Sequence, residues 1–182
     1  MRRPSPIAVL LAALLGALGP ANEEDLETML YLDLKDGRVV VEMRPDLAPH
    51  HVARIEELAR EGFYDGVPFH RVIEGFMAQT GDPTGTGRGA SGQTIAAEFS
   101  DEPHVRGTVS MARAPDPDSA DSQFFIVLAA APHLDGQYTV WGRVVEGMEH
   151  VDAIKRGSRA RNGTVSEPDV ILRMQVAADA PS

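Results

Sequence analysis

Among the 182 residues, the stretch Phe69-His70-Arg71-Val72-Ile73-Glu74-Gly75-Phe76-Met77-Ala78-Gln79-Thr80-Gly81-Asp82 concentrates the groups that could act on a substrate. Arg71 sets a permanent cation in a short apolar strand. Alternation along that strand sends Phe69, Arg71 and Ile73 to one face and His70 and Val72 to the other. Two readings of Arg71 are open: a solvated or ion-paired guanidinium, or a rigid fork of donors at the edge of an apolar pocket. After the Glu74-Gly75 turn, a second apolar run, Phe76-Met77-Ala78, ends on Gln79. Further along, Ser122-Gln123-Phe124-Phe125-Ile126-Val127-Leu128 is the most apolar strand of the chain, with Gln123, Phe125 and Val127 on one face. Gln123 is either a satisfied core amide or a donor in a groove.

Other chemistries find little support. There is no cysteine, which excludes thiolate nucleophiles, thiolate metal sites and disulfides. The six histidines (50, 51, 70, 104, 133 and 150) show no His-Glu-x-x-His spacing, so no zinc site is expected. Ser110, Ser119 and Ser122 lack a nucleophile-elbow pattern. Gly87-x-Gly89-x-x-Gly92 matches a dinucleotide fingerprint in letters, but no helix pattern follows it; residues 81–92 read instead as a flexible wall beside a groove. A net charge of −10 and a short basic cluster, Lys155-Arg156 with Arg159 and Arg161, argue against a nucleic-acid partner.

The elements that must position these groups are mostly strands. At 43% hydrophobic and 24% charged residues, the chain reads as one soluble domain with a sizeable core. Leu30, Leu32 and Leu34 alternate with polar residues, and Asp36-Gly37 separates them from Val39-Val40-Val41, a hairpin signal. Pro45 and Pro49 precede a helical stripe, Val52, Ile55, Leu58 and Ala59, that stops at Gly62. Gly107–Ala114, Thr139–Val145 with Trp141 in the core, and Val170–Val176 read as further strands, and Met148, Val151 and Ile154 as a second short helix ended by Gly157. Eight strand-like runs and two helices predict a mainly β fold, a closed or nearly closed eight-stranded antiparallel β-barrel with two α-helices. Side chains would fill such a barrel, leaving its outer face or rim for a ligand. The tail from Ala177 to Ser182 is expected to fray.

The first 21 residues have the plan of a secretory signal: Arg2 and Arg3, an apolar run from Ile7 to Leu18, and a small-residue exit at Gly19-Pro20-Ala21. The run is too short to span a bilayer comfortably and carries no lipid-anchor cysteine, so no stable membrane anchor is expected. An acidic linker, 22–27, leads into the domain, read as 28–177. A periplasmic or secreted location follows as an expectation.

Four motifs carry a resemblance. The stretch from Phe69 to Asp82, then Ser110-Met111-Ala112, Ser122-Gln123-Phe124-Phe125-Ile126 and Leu134-Asp135-Gly136, have the order and spacing found in the cyclophilins, which are peptidyl-prolyl cis-trans isomerases. The resemblance covers roughly residues 28–177 and implies an eight-stranded barrel with a helix at each end. It implies that Arg71 is the catalytic arginine and that Phe76, Met77, Phe125 and Leu134 line a proline pocket. It further implies that Gln79, Ala112 and Gln123 hold the peptide backbone beside His70, with Arg113, His133 and Tyr138 completing the substrate site. Arg113 stands where asparagine is frequent, His133 where many members carry tryptophan, and Tyr138 where many carry histidine. Loss of the indole donor at His133 implies weak cyclosporin binding. The implied partners are proline-containing unfolded or nascent polypeptides, with a monomeric protein and no metal or cofactor. A proline-binding chaperone or scaffold module with incidental isomerase activity is the alternative.

Overall fold

The Leu30, Leu32 and Leu34 alternation and the valine run form an antiparallel hairpin, β1 (Met29–Leu34) and β2 (Gly37–Met43), in unbroken register from Met29↔Glu42 to Leu34↔Gly37. The computed structural model describes residues 23–181; the expected leader lies outside the described residues. Within the acidic segment, Glu23–Glu27 forms a short helix, α1. After β2 comes α2 (Pro49–Arg60), with a proline in its first turn and His51, Val52, Ile55, Leu58 and Ala59 buried. The chain continues through β3 (Arg71–Ile73), β4 (Met77–Thr80), β5 (Thr108–Met111), β6 (Phe124–Val127), β7 (Val140–Glu146), α3 (Met148–Asp152) and β8 (Arg173–Val176). Helix α2 packs against β8, and α3 against β2.

The eight strands form one antiparallel sheet in the order β3-β4-β6-β5-β7-β2-β1-β8. The expectation of a closed barrel overstates it. The edge strands β3 and β8 share no ladder. The gap is bridged by the segments just before them: one isolated bridge, Pro68↔Val170, and hydrogen bonds from the N–H groups of Gly66, Phe69 and Ile171 to the carbonyls of Ile171, Asp169 and Val67. In that bridge Pro68 holds a non-hydrogen-bonded position, its nitrogen facing away from Val170, and the pairing does not continue as a ladder into β3 and β8.

The same interruption corrects the expected facing of the first motif. Strand β3 begins only at Arg71. Phe69 lies before it and turns into the barrel core, fully buried, rather than sharing a face with Arg71. Val72 also points inward, while Arg71 and Ile73 stay half-buried on the outer face. Alternation therefore holds inside the strand and fails before it.

Strands β4 and β6 are buried on both faces. Ala78, Phe124 and Ile126 join Trp141, Leu30 and Val109 in the barrel core. The alternate residues Met77, Phe125 and Val127 join Ala131 and Leu134 in a smaller cluster outside the barrel, edged by Ile73, Phe76, Ala112 and Tyr138. Period-two alternation thus builds two apolar clusters on the two faces of one sheet.

The tail does not fray at once. Ala177–Asp179 forms a 3-10 turn, with Ala177 buried and Asp179 Oδ2 accepting a hydrogen bond from Arg60 Nε at 2.9 Å. An apolar anchor and an ion pair hold a segment whose composition looked loose.

Candidate active site

A single rung of the sheet organises the site. Cross-strand partners Arg71↔Gln79, Gln79↔Phe125 and Phe125↔Ser110 run in line across β3, β4, β6 and β5. Neighbouring strands are about 4.8 Å apart, so a guanidinium, an amide and a phenyl ring stand side by side on the outer face. The next rung, Ile73↔Met77↔Val127, adds apolar floor. The connection after β6 carries a 3-10 turn, Pro132–Leu134, which brings buried Leu134 onto the same cluster.

The result is a cleft of about 420 Å³. Of the residues expected in the site, Arg71, His70, Phe76, Met77, Gln79, Ala112, Arg113, Phe125, Leu134 and Tyr138 all line it. Gln123 lies just outside, in an adjoining groove of about 310 Å³ that shares Gln79, Ala112 and Arg113 with the cleft. His133 does not line the cleft: it is exposed, with its ring tilted over Phe76 at 5.4 Å. It sits between Pro132 and Leu134 in a tight turn, and only Leu134 of the pair His133-Leu134 can face inward.

Arg71 is the donor fork of the second reading. Its Nη1 donates to Gln79 Oε1 at 3.1 Å, its Nε to the Asn162 carbonyl at 3.0 Å and its Nη2 to Asn162 Oδ1 at 3.0 Å. Burial pushes the guanidinium below its ordinary value, yet an arginine keeps its proton in proteins. From Gln79 the bonding continues: its Nε2 donates to Gln123 Oε1 at 3.0 Å, and Gln123 Nε2 donates to the carbonyls of Gly89 at 2.8 Å and Gly87 at 3.2 Å. Gln123 is therefore a groove-side amide that ties the strands to the glycine-rich loop.

That loop is a wall, as expected, but a fastened one. Asp82, completely buried, accepts hydrogen bonds from Thr84 N and Oγ1, both at 2.7 Å, and from Gly87 N at 2.6 Å. These bonds outweigh burial and hold its carboxyl down to about 2. Gly89 packs so closely on Asp82 that a Cβ there would collide with Oδ1. On the far side Asp121 accepts from Ser91 N at 2.8 Å and Gly92 N at 2.9 Å.

On the other lip, Arg113 Nε and Nη2 donate to the Gln137 carbonyl at 3.1 and 2.8 Å, and its guanidinium lies 4.6 Å over the Tyr138 ring. Tyr138 meets Phe125 edge-on at 5.9 Å. Behind Phe125, buried His104 bonds through its ring nitrogens to Asp135 Oδ1 and Ser110 Oγ, each at 3.0 Å. Burial pushes both His70 and His104 below the ordinary histidine value.

Sequence reasoning missed Asp82, His104, Asn162 and Thr164. The Asn162-Gly163 pair was a readable turn signal. Nothing local said that this turn would meet a strand 91 residues earlier.

The family model for cyclophilin type peptidyl-prolyl cis-trans isomerase/CLD matches residues 29–176. A probable peptidyl-prolyl cis-trans isomerase of Brucella suis biovar 1 (strain 1330) is 52% identical over 185 residues, covering 94% of each chain. Peptidyl-prolyl cis-trans isomerase B of Bacillus subtilis (strain 168) is 48% identical over 130 residues, covering 70% of this chain and 90% of that one. Among solved structures, a cyclophilin from Hirschia baltica superposes with a TM-score of 0.77 at 28% identity, covering 86% of this chain and 76% of that chain. A Cryptosporidium parvum cyclophilin type peptidyl-prolyl cis-trans isomerase, crystallised in the presence of the dipeptide Ala-Pro, gives a TM-score of 0.75 at 27% identity, covering 81% and 98%. With its sequence and its eight-stranded fold in agreement, the chain belongs to the cyclophilin-type peptidyl-prolyl cis-trans isomerases.

Proposed function

We propose that Arg71 is the catalytic group, acting on Xaa-Pro bonds of unfolded or newly exported polypeptides seated on Phe76, Met77, Phe125 and Leu134. The observation that carries this reading is a guanidinium held at the lip of an apolar cleft. Rotation about an amide costs about 18–20 kcal/mol because nitrogen shares its lone pair with the carbonyl. Before proline the uncatalysed exchange takes roughly 10–100 s. Reaching milliseconds needs a gain of about 10⁴, or roughly 5.5 kcal/mol of selective stabilisation. As the bond twists, conjugation breaks and the proline nitrogen regains a basic lone pair. A cationic donor aimed at that nitrogen favours the twisted state over either planar one. Apolar side chains clamp the ring and exclude water, which strengthens the interaction. Gln79 and the backbone at Ala112 and Arg113 hold the flanking chain while the carbonyl side swings.

The test is isomerisation of a proline tetrapeptide by the wild type and by Arg71→Ala. The variant should lose about 100-fold in kcat/KM with an unchanged thermal midpoint; equal rates would remove Arg71 from the mechanism. Export rests on the charged start, apolar run and small-residue exit of residues 1–21. Mass measurement of the protein recovered from its host should give a chain starting at Asn22, and an intact Met1 start would refute cleavage.

A further inference from the structure

We infer that Asn162 is a positioning residue for Arg71, and that it is an asparagine rather than an acid so that the guanidinium is aimed without being neutralised. This rests on the reading of Arg71 as the group that meets the proline nitrogen.

All three oxygens that accept hydrogen bonds from Arg71 belong to neutral groups: Gln79 Oε1, the Asn162 carbonyl and Asn162 Oδ1. Among the described residues Arg71 has no ion pair, and the cleft lining contains no Asp or Glu. Arg113 on the opposite lip likewise donates only to carbonyls, whereas Arg38, Arg44, Arg60, Arg106 and Arg143, outside the cleft lining, each pair with a carboxylate. A carboxylate would hold a guanidinium more tightly. It would also cancel the field that the cation presents to a lone pair. Neutral carbonyls orient the fork and leave the charge whole.

Asn162 is built to do this. Its backbone is left-handed, φ 52° and ψ 39°, closing the 3-10 turn Arg159–Arg161. Asparagine and aspartate tolerate that region better than other residues with a Cβ. The turn is stitched to the rear of β3: Val72 N donates to the Gly163 carbonyl at 2.8 Å, and Gly157 N to the Val72 carbonyl at 2.9 Å. A Cβ at Gly163 would collide with Ile73, and one at Gly157 with the Gly163 backbone. Asn162 therefore reaches Arg71 with both its carbonyl and its side chain from a fixed frame.

Three variants, each checked for an unchanged thermal midpoint, separate the possibilities by NMR exchange on a saturating proline tetrapeptide, which reads on-enzyme turnover apart from affinity. Asn162→Gly keeps the left-handed backbone and the carbonyl and removes only Oδ1; turnover should fall about tenfold, the equivalent of one hydrogen bond to a charged group, with KM little changed. Asn162→Asp keeps the geometry and adds a negative charge; it should not restore turnover and should fall at least as low as Asn162→Gly. Wild-type turnover in Asn162→Gly would show the side chain idle, and wild-type turnover in Asn162→Asp would show that charge does not matter; either overturns the inference. Arg71→Ala run alongside keeps the two readings apart. Activity retained there sinks the role of Arg71 itself, whereas activity lost there but kept in both Asn162 variants sinks only the role of Asn162.

Discussion

Gln79 faces Arg71 directly across the β3–β4 ladder, and its side-chain oxygen accepts the Arg71 Nη1 hydrogen at 3.1 Å while its amide nitrogen donates onward to Gln123 Oε1 at 3.0 Å. The cation dictates the polarity of everything downstream. An oxygen must face the guanidinium, so the Gln79 amide group must face Gln123, and the Gln123 amide group must then face the Gly87 and Gly89 carbonyls. Arginine and loop are coupled through two side chains.

The coupling is measurable. Gln79→Ala and Gln123→Ala should each lower kcat/KM, and the double variant should lose less than the sum, with a coupling of about 1 kcal/mol for residues in one hydrogen-bonded network. A double-mutant cycle on a proline peptide reads it; strict additivity would mean that Gln123 acts on substrate independently of Gln79.

Asp82 should control the order of the glycine loop. Removing its carboxylate in Asp82→Ala leaves the N–H groups of the exposed loop residues Thr84 and Gly87 without their acceptor, a cost of about 1 kcal/mol for each hydrogen bond lost. Denaturant midpoints should fall, and amide exchange at Gly87 should speed up. The carboxyl is held down to about 2 in the folded protein. Its contribution is thus fully present above the ordinary aspartate value and disappears as pH falls through about 2, a loss the variant should not share.

Mild acid should destabilise the protein before the carboxylates titrate. His51, His70 and His104 are buried, and burial is the main cause pushing each below the ordinary value of 6.5. Below about pH 6.5 the unfolded chain takes up protons that the folded chain refuses, so stability falls as pH drops, by up to about 1.4 kcal/mol per pH unit for each group. Thermal midpoints between pH 7 and 5 check this. His70→Gln should flatten part of the slope, and an unchanged slope would clear His70 of any share in it.

His133 lies over Phe76 without entering the cleft. His133→Trp would widen that apolar lip and supply an indole N–H donor. Cyclosporin affinity, measured by calorimetry, should rise while peptide isomerisation stays near wild type; no gain in affinity would mean that position 133 does not govern cyclosporin binding.

Much of this site could be read along the chain because strands encode their faces locally. Met77 and Gln79, or Phe125 and Val127, share a side by the geometry of extended backbone alone, and burial follows that alternation. Phe69 is the instructive failure. It obeyed the alternation on paper, but the regular strand β3 begins only at Arg71, and in the irregular seam before it the Phe69 ring lies in the barrel core.

What the sequence by itself determined was therefore most of the side chains that line the cleft, their family and the alternation that separates barrel core from cleft floor, all consequences of residue type and of short-range sterics. Only the tertiary structure decided that the barrel seam closes through irregular segments, that Asp82 fastens the glycine loop, and that Asn162 meets Arg71 from 91 residues away. These depend on which distant surfaces pack together, and neither periodicity nor composition carries that information.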